Sequence, residues 1–261
     1  MERTVLLKIA YDGTGFCGWQ RQPGKRTVCG ELESALERVT GMPIKIDGTS
    51  RTDAGVHALG QQASFRADCP VPTDRLARAL SDVLAKDRLE HVGDISVLEA
   101  KDMPDDFHAR YSSVGKRYIY VIRNAAQPDL FCRNYCYQVS RPLDESAMAQ
   151  AASFLLGTHD FRCFMAMGST PQKTTVRTIW QADVTRDGEQ IRLAIAGDGF
   201  LYNMVRIITG TLVEVGLGRR SPQSMADTIA SLDRSKAGHT APPQGLYLQE
   251  VFYGDTEASK G

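Results

Sequence analysis

No stretch of the 261-residue chain is apolar for long enough to cross a bilayer, and no apolar segment opens it. No membrane association is therefore expected, and a cytoplasmic protein is. The six cysteines, at 17, 29, 69, 132, 136 and 163, form no Cys-x-x-Cys pair and lie scattered. Neither a metal centre nor a disulfide framework is expected from such spacing, only reduced thiols. Net charge is lacking too, with 31 Lys and Arg against 31 Asp and Glu. That balance argues against a nucleic-acid binder, because phosphate contact is driven by positive charge, unless the basic residues gather on one face. What remains is an ordinary globular composition, long enough for one large or two small domains.

The stretch from Gly48 to Gln62, GTSRTDAGVHALGQQ, is the most informative. Asp53 sits among small residues that let the backbone turn tightly and a ligand come close. A β-prone run at Ile44 to Ile46 leads in and an alternating run from Gln62 to Phe65 leads out. Asp53 therefore belongs on a loop between two strands, where functional groups concentrate. A carboxylate there can act as nucleophile or base, and Arg51 can hold it ionised or grip phosphate. The plain alternative is an Asx-type turn beside a solvated arginine. His57 and His108 have no nucleophile or metal partner nearby in sequence, which favours loop-stabilising hydrogen bonds over acid–base roles.

Around this loop the chain reads as strand, helix, strand, strand, helix, strand, the order of a ferredoxin-like α+β unit. The strands are Thr4 to Tyr11, the two flanking Asp53, and Ile95 to Leu98. The helices run from Thr27 to Gly41 and onward from Thr73, an expected N-cap. Gly13 to Gly18 is a literal Gly-x-Gly-x-x-Gly, but no helix follows it, so a dinucleotide site is excluded. Arg21, Lys25 and Arg26 follow on a loop that is either solvated surface or a phosphate-gripping arm. A turn-rich stretch at Asp102 to Asp106 marks the handover to a second half, giving domains 1–104 and 105–261.

In the second half, Arg110, Lys116, Arg117 and Arg123 interleave with Tyr111, Tyr118 and Tyr120, with no acidic residue among them. Alternation puts Tyr118 and Tyr120 on one strand face and Arg117 on the other. The pattern suits unstacked RNA bases or, equally, two core tyrosines behind a charged face. A helix is expected over Pro142 to Leu156, ended by Gly157 to Phe161. A mobile loop is expected at Ser169 to Lys173, and a hairpin around Asp187-Gly188. From Gly199 to Val213 the only charge is Arg206. Leu201, Met204, Val205, Ile208 and Leu212 form a buried helical face there. Arg206 either snorkels to water or pairs with a carboxylate such as Asp53, whose ionised form it would favour. A short helix opens at Pro222, Leu246 precedes a final strand to Tyr253, and the polar tail from Gly254 is expected to fray.

These pieces together resemble the TruA family of tRNA pseudouridine synthases, over nearly the full chain. The Asp53 stretch resembles the family's catalytic loop, with Ser50 where the family has glycine. Tyr11-Asp12-Gly13 through Gln22 resembles its opening signature, and Lys116-Arg117-Tyr118-x-Tyr120 its basic-tyrosine element. Phe200-x-x-x-Met204-Val205-Arg206-x-x-x-Gly210 and Ala241-Pro242-x-x-Gly245-Leu246-x-Leu248 resemble two more. The resemblance implies a pseudouridine synthase fold, with two ferredoxin-like or RRM-like halves, antiparallel sheets flanked by helices, and a catalytic cleft between them. It implies a cofactor-free isomerase acting on uridines 38 to 40 of the tRNA anticodon arm, as a homodimer bridged by tRNA. Asp53 would be the catalytic carboxylate and Tyr118 would lie against the uracil. Arg206 would anchor Asp53, Leu246 would wall the pocket, and Arg51 would hold the RNA backbone or fill the gap left by the extruded nucleotide. Two rivals stand beside it. An aspartic protease would need a second aspartate of the same kind, and a non-catalytic α+β RNA-binding module would leave the Asp53 loop without a task.

Overall fold

A computed structural model of the protein describes residues 2–86, 93–168 and 174–254. The loop expected at Ser169 to Lys173 and the tail beyond Gly254 lie outside the described residues. The chain forms two compact α+β units, Met1–Val114 with Tyr247–Gly261, and Gly115–Leu246. Among the described residues no helix is long and apolar enough to cross a membrane.

The first unit contains β1 (Arg3–Tyr11), α1 (Val28–Thr40), β2 (Asp47–Gly48), β3 (His57–Ala67), α2 (Thr73–Lys86) and β4 (Ile95–Met103). β1 pairs antiparallel with both β3 and β4, and β2 pairs antiparallel with β3. This gives the order β4-β1-β3-β2. Leu7 and Ile9 of β1 are completely buried, as are Val28, Leu32 and Leu36 of α1. The spacing of four puts those helical residues on one face. The Thr27 hydroxyl caps α1 by accepting from Gly30 N at 3.3 Å, and Gly41 ends it at φ +76°. Thr73 is not the N-cap of α2 but its first residue. The Pro72 carbonyl accepts the early amides, while the Thr73 hydroxyl donates to Asp102 at 2.7 Å.

The second unit contains β5 (Ser113–Asn124, which starts just before the boundary), β6 (Tyr137–Val139), α3 (Glu145–Ser153), β7 (Gly157–Asp160), β8 (Val176–Asp187), β9 (Gln190–Gly197), α4 (Met204–Gly216) and α5 (Ser224–Ser231). Its sheet runs β5-β9-β8-β7 with antiparallel neighbours, and β6 lies parallel to β5. The core of this arrangement, β5-β9-β8 with α3 after β5, repeats β1-β3-β2 with α1 after β1. Two expectations change here. Gly157 to Asp160 does not merely end a helix but forms β7 against β8. α4 starts at Met204, because Asn203 holds a left-handed φ of 60° that a helix cannot run through.

The last strand, β10 (Leu246–Tyr253), lies parallel to β3, with Tyr247 opposite His57 and Leu248 opposite Ala58. This return is why the first unit is not the expected 1–104. Residues 105–114 and 247–254 belong to the first unit. It also bears on β2. β10 occupies one end of β3 while Asp47 and Gly48 pair with Ser64 and Ala63 at the other. Ile44 and Ile46, expected as a strand, are buried without joining the sheet.

Gly210 lies inside α4, where glycine is unfavourable by about 1 kcal/mol relative to alanine. The structure explains it, since a Cβ there would stand 1.8 Å from the His239 carbonyl oxygen. Gly210→Ala should therefore destabilise by about 1 to 3 kcal/mol despite the gain in helix propensity. A lowered denaturation midpoint is expected, and an unchanged or raised one contradicts this packing.

Candidate active site

Asp53 stands half-buried on the loop between β2 and β3, with Arg51 exposed two residues before it. The loop is held from both sides. Thr49 N donates to the Gln62 carbonyl at 2.8 Å, extending the β2–β3 ladder. The Thr49 hydroxyl lies 3.0 Å from both the Ala109 carbonyl and the Tyr253 hydroxyl. Closer to Asp53, the Thr52 hydroxyl bonds that of Tyr11 at 2.7 Å, and the Thr52 carbonyl accepts from Trp19 N at 3.0 Å. Gly55 turns the chain at φ +77°, and Val56 N donates back to the Asp53 carbonyl at 3.2 Å.

The Gly-x-Gly-x-x-Gly run has a use here unrelated to nucleotides. A Cβ on Gly13 would stand 2.1 Å from the Val56 carbonyl oxygen, and one on Gly18 would stand 2.6 Å from that of Thr52. Gly18 also takes φ +83°. These glycines let the 13–18 segment press directly on the backbone that carries Asp53. Trp19, 2% exposed, fills the next position, where its ring would meet a Cβ on Gly48 at 2.4 Å.

The basic loop after Trp19 is tied down unevenly. Arg26 lies over the Phe16 ring at 4.0 Å and pairs with Asp94 at 2.9 Å. Arg21, largely exposed, pairs with buried Glu33 at 2.8 Å. Both histidines stabilise loops, as the sequence suggested. His57 Nδ1 accepts from Gly13 N at 3.0 Å, and its ring stacks on Tyr247 with centroids 4.8 Å apart. His108 Nδ1 accepts from Arg110 N at 3.1 Å. Among the described residues no cluster of His, Cys, Asp or Glu is arranged to hold a metal.

The second unit carries Tyr118, Arg206 and Leu246. Tyr118, Tyr120 and Ile122 share the buried face of β5. Tyr118 meets Phe200 edge-on at 5.1 Å, while Arg117 Nε donates to Gln181 Oε1 at 3.0 Å. The Tyr120 hydroxyl donates to the Pro242 carbonyl at 2.6 Å, and burial pushes this phenol's pKa far up. Arg206 does not simply snorkel. Its Nε donates to the Ala241 carbonyl at 2.8 Å and a terminal nitrogen donates to Asn203 Oδ1 at 2.8 Å. Ala241 N donates back to the Arg206 carbonyl at 3.0 Å. Leu246 is 7% exposed and follows Gly245, where a Cβ would strike the Tyr120 ring at 2.6 Å. The start of α4, the 241–246 turn and the tyrosine strand are thus brought together, while Asp53 and Arg51 belong to the other unit.

Three supporting residues were not singled out from sequence, Tyr11, Gln61 and Asn203. The signals were faint. Gln61 is a fully buried polar residue in a strand of mixed character, and Asn203 is a residue type that tolerates left-handed backbone directly before a helix.

Comparison with known proteins gives a consistent result. The family model described as tRNA pseudouridine synthase matches residues 8–112 and 151–254. Arg51, Asp53, Arg206 and Leu246 fall within the match, and Tyr118 between its two segments. The chain is 46% identical over 251 residues to the tRNA pseudouridine synthase A of Thermoanaerobacter sp. strain X514, covering 96% of this chain and 100% of that one. It is 47% identical over 251 residues to the tRNA pseudouridine synthase A of Acetivibrio thermocellus, with the same coverage. For the tRNA pseudouridine synthase A of Halalkalibacterium halodurans the identity is 49% over 245 residues, 94% of this chain and 90% of the relative.

The floor of the Asp53 loop provides a test. Burial pushes the Tyr253 phenol up to about 12 from 10.0, so the folded protein holds it neutral. Its contribution to stability is complete below about pH 10, the unfolded value, and is lost as pH rises toward 12. Tyr253→Phe loses the bond to Ala109 and should cost about 1 kcal/mol at neutral pH. The gap from wild type in urea midpoints should narrow above pH 10, and a constant gap contradicts the assignment.

Proposed function

The chain belongs to the tRNA pseudouridine synthase family, and from that premise we propose that it isomerises uridine to pseudouridine at positions 38 to 40 of the tRNA anticodon arm, with Asp53 as catalytic carboxylate. The reaction is an isomerisation. The bond between ribose carbon 1′ and uracil nitrogen 1 breaks, the base turns, and carbon 1′ bonds carbon 5. The proton on carbon 5 leaves and nitrogen 1 regains one, so no outside donor, oxidant or cofactor is needed.

The observation that carries this reading is the loop of Asp53. Its backbone is pinned on one side by Thr49 and on the other by Thr52, and the 13–18 glycines press against it. Such fixing suits a group that must meet a reacting atom within a few tenths of an ångström. Arg206 is the cation we assign to Asp53. An opposite charge in contact favours the ionised carboxylate, and two fixed acceptors already orient the guanidinium. Tyr118 is assigned to stack on the uracil and to take the carbon 5 proton, Leu246 to wall the pocket, and Arg51 to hold the RNA or replace the extruded nucleotide. Extrusion is needed because a stacked base hides its glycosidic bond, at a cost of a few kcal/mol. The reading further takes the enzyme as a cytoplasmic homodimer with tRNA bridging its subunits.

Release of tritium from carbon 5 of uracil in labelled tRNA tests the proposal. Wild type should release it from anticodon-arm uridines, and Asp53→Asn should lower the rate by at least roughly a hundredfold. No release by wild type would leave the non-catalytic RNA-binding module as the better reading. Full release by Asp53→Asn would remove the carboxylate assignment alone. Arg206→Met should lower turnover and move the acid limb of the rate profile to higher pH by about one unit or more, because the ionised carboxylate loses its cation. An unmoved profile rejects the pairing.

A further inference from the structure

Between Thr49 and Asp53 the chain leaves the edge of β3, and the peptide groups of Ser50 lose the strand that would have paired them. A side chain takes the strand's place. Gln61 Nε2 donates to the Ser50 carbonyl at 2.8 Å, and Gln61 Oε1 accepts from Ser50 N at 3.3 Å. The same oxygen accepts from Gln62 N at 3.1 Å. The orientation of the amide is settled by its partners, since the nitrogen faces a carbonyl, which only accepts, and the oxygen faces two N–H donors. Gln61 is 0% exposed and Ser50 is 5% exposed. A long polar side chain is rarely buried completely unless all its groups are used. Here the oxygen accepts two bonds and the nitrogen donates one, and two of the three go to a single residue, the one directly before Arg51.

We propose that Gln61 is a positioning residue for the isomerisation. Its amide acts as a detached rung of the sheet, fixing the Ser50 peptide and so the direction in which the chain presents Arg51 and Asp53. The inference rests on the function proposed above. Its chemistry is specific, for the group facing the Ser50 carbonyl must be a donor and the group facing Ser50 N must be an acceptor. Bulk alone does not meet those demands.

Two substitutions separate the demands. Gln61→Glu keeps the shape, but its ionised carboxylate has no donor, and an oxygen then faces the Ser50 carbonyl. A protonated Glu restores the donor, and burial favours that neutral form, with documented pKa values reaching about 8 to 9. The ratio of variant to wild-type kcat should therefore be near one at about pH 5.5 and fall roughly ten- to a hundredfold by about pH 9, with KM for tRNA within about twofold. Gln61→Met keeps the volume and lacks both groups, so its kcat should be low across the whole range. Amide hydrogen exchange supplies a readout independent of activity. In folded Gln61→Met the Ser50 amide should exchange faster while those of β1 do not. A ratio for Gln61→Glu that is flat with pH, wild-type kcat in Gln61→Met, or unchanged Ser50 exchange overturns the proposal. An inactive wild type would instead sink the proposed function, leaving the exchange measurement to decide the role of Gln61 in holding the loop.

Discussion

Direct backbone-to-backbone contact is the constraint on which the first unit depends. Gly13 and Gly18 bring one segment against the Val56 and Thr52 carbonyls at separations no Cβ tolerates. Protein interiors are packed too densely to absorb an added methyl at such points without moving the neighbour. The neighbour here is the loop that carries Asp53. Polar bonds then complete what packing begins, because buried peptide groups off the sheet still require partners. Trp19 N and the Gln61 amide provide them for Thr52 and Ser50, and the Tyr11 hydroxyl bonds the Thr52 side chain. Function and fold are therefore not separate demands on these residues, and the same glycines that allow the approach leave the loop no room to drift.

The second unit solves a related problem with different means. A cation within an apolar helix face must be satisfied. Arg206 is satisfied partly by its own chain neighbour Asn203 and partly by the turn at Ala241. That turn is itself fastened to β5 through the Tyr120 hydroxyl and the flat contact of Gly245 on the Tyr120 ring. Tyr120 thus works as a bracket on the buried face it shares with Tyr118. This explains why two tyrosines recur at alternate positions of one strand while having different surroundings.

Much of this was legible in the sequence where the signal is local. The α1 boundaries follow from Thr27 and Gly41, the β8–β9 hairpin from Asp187-Gly188, and the shared face of Tyr118 and Tyr120 from strand alternation. The failures come from contacts between distant residues. Ile44 to Ile46 has the composition of a strand, yet the edge of β3 is divided between Asp47-Gly48 and a strand from the other end of the chain. The start of α4 was placed too early because apolar spacing continues through Leu201, while the backbone of Asn203 does not. The packing partner of the glycine run, the Asp53 loop, lies too far along the chain for any local pattern to name. Gln61 gave only a faint signal, since a polar residue in a strand is ordinary until its burial is known.

The return of β10 to β3 has a consequence for how the molecule comes into being. Tyr253 reaches the Thr49 and Ala109 segment, so the floor beneath Asp53 is finished by a residue of the last strand, β10. During synthesis on a ribosome the first unit must wait, with β3 incompletely covered, until the whole second unit has emerged. Closing so long a loop is slow compared with forming the local helices and hairpins. The nascent chain therefore acquires its candidate active-site geometry only after the second unit has been made, although most of the residues that shape the loop precede that unit.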